Sequence, residues 1–166
     1  GWIFAEEAMQ SNIGIPEAVC YSGSFSDYDF DGDLDLFITA RDRNYLFKNE
    51  GEDNNGFIEF VDVTSANGIT VPAYSPGSAW GDFDLDGDRD LYIASLNPNE
   101  FYRNGYRQDL QLFERKTDDA GVGDAAMSLS TEWADYNSDG KPDIYLGNLY
   151  GYDGWECKLY ENAYSD

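Results

Sequence analysis

Asp82-Phe83-Asp84-Leu85-Asp86-Gly87-Asp88-Arg89-Asp90 is the stretch on which the reading of this chain turns. Acids stand at its first, third, fifth, seventh and ninth positions, and glycine at its sixth. Carboxylates alternating along a tight loop suit calcium, a hard cation that takes about six to eight oxygens. The glycine lets the backbone turn without a Cβ clash. Asp88, at the seventh position, would add its main-chain carbonyl. The same spacing returns twice, as Asp27, Asp29, Asp31, Gly32, Asp33 and Asp35, and as Asp135, Asn137, Asp139, Gly140, Lys141 and Asp143. Three copies predict three calcium sites. The third is expected to bind most weakly, because Asn137 replaces an acid and Lys141 offers only a carbonyl. An EF-hand is excluded, since the twelfth positions are Ile38, Ile93 and Leu146 where that loop needs a bidentate acid.

The sequence around the loops repeats with them, at a period of about fifty residues. Before each loop come an aromatic and a small residue: Phe25-Ser26, Trp80-Gly81 and Trp133-Ala134. After each comes an apolar run: Leu36-Phe37-Ile38, Leu91-Tyr92-Ile93 and Ile144-Tyr145-Leu146. A third word reads Leu46-Phe47-Lys48-Asn49, Phe101-Tyr102-Arg103-Asn104 and Leu159-Tyr160-Glu161-Asn162. A fourth reads Phe60-Val61-Asp62-Val63-Thr64 and Phe113-Glu114-Arg115-Lys116-Thr117, followed by Gly68-Ile69 and Gly121-Val122. A looser copy of the fourth runs through Phe4 to Gly14-Ile15. Short aromatic and β-branched runs between Gly, Asn, Asp and Pro are strands, not helices. Four such strands per period, A to D, make a propeller blade. The fold expected is therefore all-β, with blades of four antiparallel strands and the acidic loops as A–B hairpin turns.

The order is a lone D-like strand at Trp2–Glu7, then A, B, C, D twice, then A, B and C. That is twelve strands, or three blades' worth, in repeats of approximately 1–56, 57–109 and 110–166. Closed propellers need about four to eight blades. Three blades alone would leave open edges. The chain is accordingly expected to be a segment of a longer propeller or half of a ring shared by two copies.

A net charge of −23 with only 10 Lys and Arg argues against nucleic-acid partners. The absence of histidine removes Ser-His-Asp and Cys-His nucleophile pairs and the usual zinc sites. Acids spaced around a glycine are explained by metal alone, so no enzyme is expected. No apolar run reaches the length of a membrane span. Two cysteines, Cys20 and Cys157, are too few for a disulfide scaffold. They lie two blades apart, which disfavours an internal bridge; across a head-to-tail junction of two copies they could approach each other, and buried unpaired thiols are the alternative reading. Trp80 and Trp133 share a repeat position and are expected in the core. Tyr106, Tyr150, Tyr152 and Trp155 are freer, and the aromatic B–C loop from Asn148 to Glu156 is a candidate recognition surface.

These words together resemble the FG-GAP, or VCBS-type, repeats of integrin α-subunit propellers and of cartilage acidic protein-like secreted proteins. The resemblance rests on Trp80 to Ile93, on Phe101-Tyr102-Arg103-Asn104, and on Phe60 to Thr64 with Gly68-Ile69. It implies a calcium-stiffened propeller used outside the cell for adhesion or for binding a protein partner or another copy. Its implied metal ligands are Asp27, Asp29, Asp31 and Asp35; Asp82, Asp84, Asp86 and Asp90; and Asp135, Asn137, Asp139 and Asp143. A glycan-binding propeller, or a non-catalytic appendage of a secreted enzyme, is the alternative.

Overall fold

The computed structural model describes residues 6–70, 74–108, 113–149 and 156–165. Among these residues eleven strands form three antiparallel sheets, each a simple meander. The first sheet holds β1 (Cys20–Ser26), β2 (Asp35–Ala40), β3 (Tyr45–Glu52) and β4 (Ile58–Asp62) in that order. The second holds β5 (Gly77–Gly81), β6 (Asp90–Ala94), β7 (Glu100–Asn104) and β8 (Phe113–Arg115). The third holds β9 (Ser128–Ala134), β10 (Asp143–Asn148) and β11 (Lys158–Tyr160). The four-strand blade read from the sequence is thus present twice in full, with A, B and C present a third time. No α-helix occurs among the described residues, and Tyr106–Gln108 form one turn of 3-10 helix. The strand expected at Trp2–Glu7 lies outside the described residues except for Glu6 and Glu7, which are not in a strand. Tyr150, Tyr152 and Trp155 also lie outside them.

The middle strand of each sheet carries the packing. Side chains alternate across a strand, so neighbours in sequence serve opposite faces. In β6, Leu91 and Ile93 join the core shared with the first sheet, beside Phe37, Leu46, Tyr28 and Trp80. Tyr92, between them, joins the core shared with the third sheet, beside Ile144, Leu146 and Trp133. A blade sandwiched this way has two apolar faces, which is why these runs show no polar alternation. The Gly-branched words close the ends. Gly68 and Gly121 adopt left-handed φ of 74° and 67°. That turn drops Ile69 into the first core and Val122 into the second. Ile13 and Ile15 pack in the same way on Leu36, Phe47 and Phe60 of the first sheet.

Trp80 and Trp133 are half-buried against these cores, as their shared position predicted. The Trp133 ring lies on Gly81, and its indole N–H donates to the Ala79 carbonyl at 3.2 Å. Phe25, their counterpart in the first sheet, is 59% exposed. On the opposite face of the array the third sheet exposes Tyr136, Tyr145 and Leu159 by 52%, 46% and 52%. The counterparts of Tyr145 in the other repeats, Phe37 and Tyr92, and those of Leu159, Leu46 and Phe101, are fully buried. Cys20 and Cys157 are unpaired, and both are exposed. Burial of the thiols is therefore corrected: Cys20 opens β1 and Cys157 immediately precedes β11, and both side chains are open to solvent.

Candidate metal centre

All three acidic stretches are A–B hairpin turns with one shared backbone. The sixth-position glycines, Gly32, Gly87 and Gly140, have φ of 96°, 90° and 88°. The fourth-position residues, Phe30, Leu85 and Ser138, are left-handed too, at 61°, 59° and 61°. Two left-handed residues separated by one bend the chain back on itself so that alternate side chains converge.

The ninth-position acids are the anchors. Asp35, Asp90 and Asp143 are buried, and each ties its loop to the asparagine that lies within, ends or just follows the third strand of its own sheet. Asp90 accepts from the Phe83 amide at 2.7 Å and from the Asn104 amide at 2.8 Å. Asp35 does the same with Tyr28 and Asn49, at 3.2 and 2.9 Å, and Asp143 with Tyr136 and Asn162, at 3.2 and 2.8 Å. Burial pushes the Asp90 carboxyl up to about 8 and that of Asp35 up to about 6, although these N–H bonds favour the carboxylate. A cation nearby would relieve that cost of ionisation.

The first loop brings one carboxylate oxygen each from Asp27, Asp29 and Asp35 within 4.8 Å of one another. The second does so with Asp82, Asp84 and Asp86. Among the described residues the third loop forms no such triad; Asp135, Asn137 and Asp139 are exposed. Their polar atoms instead meet loop amides, such as Asp139 N to Asp135 Oδ1 and Gly140 N to Asp135 Oδ2, at 3.0 and 2.9 Å.

Whether the first two loops suit a cation is tested by their unsatisfied oxygens. Asp27 Oδ1, Asp82 Oδ1 and Asp84 Oδ1 are buried without a hydrogen-bond donor, and the Asp84 side chain is only 3% exposed. An unpartnered buried carboxylate oxygen is costly, and a metal ion is the partner these three positions fit. The Asp84 carboxyl is raised by burial and then by neighbouring Asp86, although Arg103 beside it pulls the other way.

Asp31 and Asp88 face cations instead, although Asp88 Oδ1 is likewise buried without a hydrogen-bond donor. Asp31 pairs with Lys48 at 2.5 Å and accepts from the Asp33 amide at 3.0 Å. Asp88 is buried and turned to Arg107, accepting its amide at 3.0 Å and facing its Nε at 3.3 Å. Arg107 also lies over the Phe30 ring, 4.0 Å from its centre, so it bridges the first two loops. Lys141 donates to the Tyr164 carbonyl at 2.5 Å.

Sequence reasoning missed the third-strand asparagines. Asn104 Nδ2 donates to the Tyr28 carbonyl and Asn162 Nδ2 to the Phe83 carbonyl, each at 2.8 Å. Each bond crosses from one sheet to the loop of the sheet before. The signal was available: asparagine ends the third word in all three copies, whereas the residues before it vary. The cations Lys48 and Arg103, which contact the loops, stand just ahead of it.

A meander of four-stranded blades with acidic hairpins defines a class of bladed repeat proteins. The FG-GAP-like repeat matches residues 27–93 and again 82–146, and the chain belongs to that family. Each match begins at the first acid of one loop and ends on the apolar strand after the next. Such repeats make β-propeller-like modules for protein interaction. No curated protein matches the chain. Among the described residues no helix is long and apolar enough to cross a membrane.

Proposed function

We propose that this chain is a calcium-stiffened, non-catalytic interaction module that works outside the cell, where calcium is plentiful. The observation that carries the reading is the trio of buried, unpartnered oxygens on Asp27, Asp82 and Asp84. Oxygen-only donor sets of this kind select hard cations over zinc or copper. Calcium would draw the first, third, fifth and ninth side chains of each loop together and neutralise acids that otherwise repel. Binding at a hundred times the dissociation constant stabilises by about 2.7 kcal/mol per site. Thermal unfolding in millimolar calcium is therefore expected to occur several degrees above unfolding in chelator, with magnesium less effective because it demands a smaller octahedral shell. Equal melting with calcium and with chelator would refute the reading.

The exposed face of Tyr136, Tyr145 and Leu159 supports a self-association reading of the same module. In the other repeats the equivalent face is covered by the next blade, so its natural occupant is a further blade of this repeat, supplied by a longer propeller or by a second copy; self-association is the version that sedimentation tests. Sedimentation velocity is expected to show calcium-dependent dimerisation that Leu159→Lys abolishes. A monomer at every concentration would exclude it.

A further inference from the structure

We propose that the residue preceding the third-strand asparagine sets the affinity of each loop for a divalent cation, with Lys48 and Arg103 holding the first two loops back. The inference rests on the calcium reading above and names the residues that tune it. Equivalence of the position is fixed by hydrogen bonds, because the next residue's amide donates to the ninth-position acid in every repeat. Lys48 Nζ binds both Asp29 and Asp31. Arg103 does the same one blade on, with Nε on Asp84 Oδ2 at 2.5 Å and Nη2 on Asp86 Oδ2 at 2.9 Å. In each case the cation spans the third and fifth loop positions.

The third repeat reverses both partners. Its third position is the neutral Asn137, and the residue before its asparagine is the acid Glu161, just past β11. Each repeat therefore keeps two carboxylates in this three-residue group, but only the first two add a cation to it. A cation there takes carboxylate lone pairs that a divalent ion needs and repels that ion as well. Screening is weak, because the Lys48 and Arg103 side chains are only 21% and 24% exposed. The second loop shows the competition most clearly. Asp84 Oδ2 is held by Arg103 while its Oδ1 is buried and without a donor. The guanidinium fork fits two carboxylates better than an ammonium does, so Arg103 restrains its loop more than Lys48 does. The third loop, ranked weakest on its own letters, gains from Glu161 what it lacks at Asn137.

Calorimetric titration of calcium into the wild type and into Lys48→Met, Arg103→Met and Glu161→Gln tests the assignment. The two methionine variants are expected to tighten one site each, by about tenfold for Lys48→Met and by more for Arg103→Met, with a lower melting temperature in chelator. Glu161→Gln is expected to weaken one site by a similar factor. Lys48→Arg, which keeps the charge and the fold, is expected to give no tightening. Wild-type protein that binds calcium, with methionine variants of unchanged or weaker affinity, would overturn the inference. Wild-type protein that takes up no calcium would instead overturn the reading beneath it.

Discussion

Gly81→Ala is expected to cost about 3 kcal/mol, the largest loss from a single methyl group in this chain. A Cβ at Gly81 would stand 2.4 Å from Cδ2 and 2.6 Å from Cγ of Trp133. Such approaches are not met by small adjustments, and the ring is held in place by its contacts. Its N–H is fixed on the Ala79 carbonyl, and Phe101 packs on it with ring centres 6.0 Å apart. Either the third sheet shifts away from the second or the indole gives up its bond. Overpacking of this kind costs about 1–3 kcal/mol, and the lost hydrogen bond adds about 1. Urea unfolding followed by tryptophan fluorescence measures the loss. Gly23→Ala is the control, because a Cβ there meets Leu36 at an ordinary 3.4 Å and a change within about 0.5 kcal/mol is expected. Equal effects at the two glycines would show that the ring is not pinned.

Asn104→Ala is expected to cost about 3 kcal/mol, more than the same change at Asn162. The Asn104 side chain donates to the Tyr28 carbonyl at 2.8 Å and accepts from the Tyr106 amide at 3.0 Å. Truncation leaves one carbonyl and one N–H without partners, at about 1–3 kcal/mol for a buried group. Asn162 makes the corresponding pair of bonds, to the Phe83 carbonyl and from the Tyr164 amide. There, however, the residues around it are open to water, since Glu161, Ala163 and Tyr164 are exposed. Water can replace part of what is lost, so about 1–2 kcal/mol is expected. Chemical denaturation of the two variants side by side decides the matter. A cost at Asn162 equal to that at Asn104 would show that burial between sheets is not what gives the bond its weight.

The hairpin loops, the glycine at their turn and the two-faced middle strands were legible because each depends on local spacing. Position six must be left-handed in any loop that folds back so tightly, and Leu91, Tyr92 and Ile93 are apolar because both faces are covered. What was not legible depends on neighbours distant in sequence. Nothing in Asp-Tyr-Asn-Ser-Asp-Gly-Lys says that the third loop is more exposed than the others; that follows from the absence of a further packed sheet beside Tyr136 among the described residues. Likewise Lys48 and Arg103 look like ordinary surface cations until the register of the third strand sets them over positions three and five of their loops. The asparagines were quoted as part of a repeated word, yet a word gives no direction, and the bond to the preceding repeat is a matter of direction.

The two junctions between sheets share one plan, although the indole N–H finds a carbonyl only at the second, from Trp133 to Ala79. At each, an indole from one repeat lies against the repeat before it, an asparagine reaches back to that repeat's loop carbonyl, and a branched residue after glycine fills the end of the seam. The second and third units therefore each carry a plug that fits a socket on the unit before. A tandem duplication brings its own fittings with it, so an array of these units can gain a member without any existing member being redesigned, while damage to one fitting stays private to the pair that shares it.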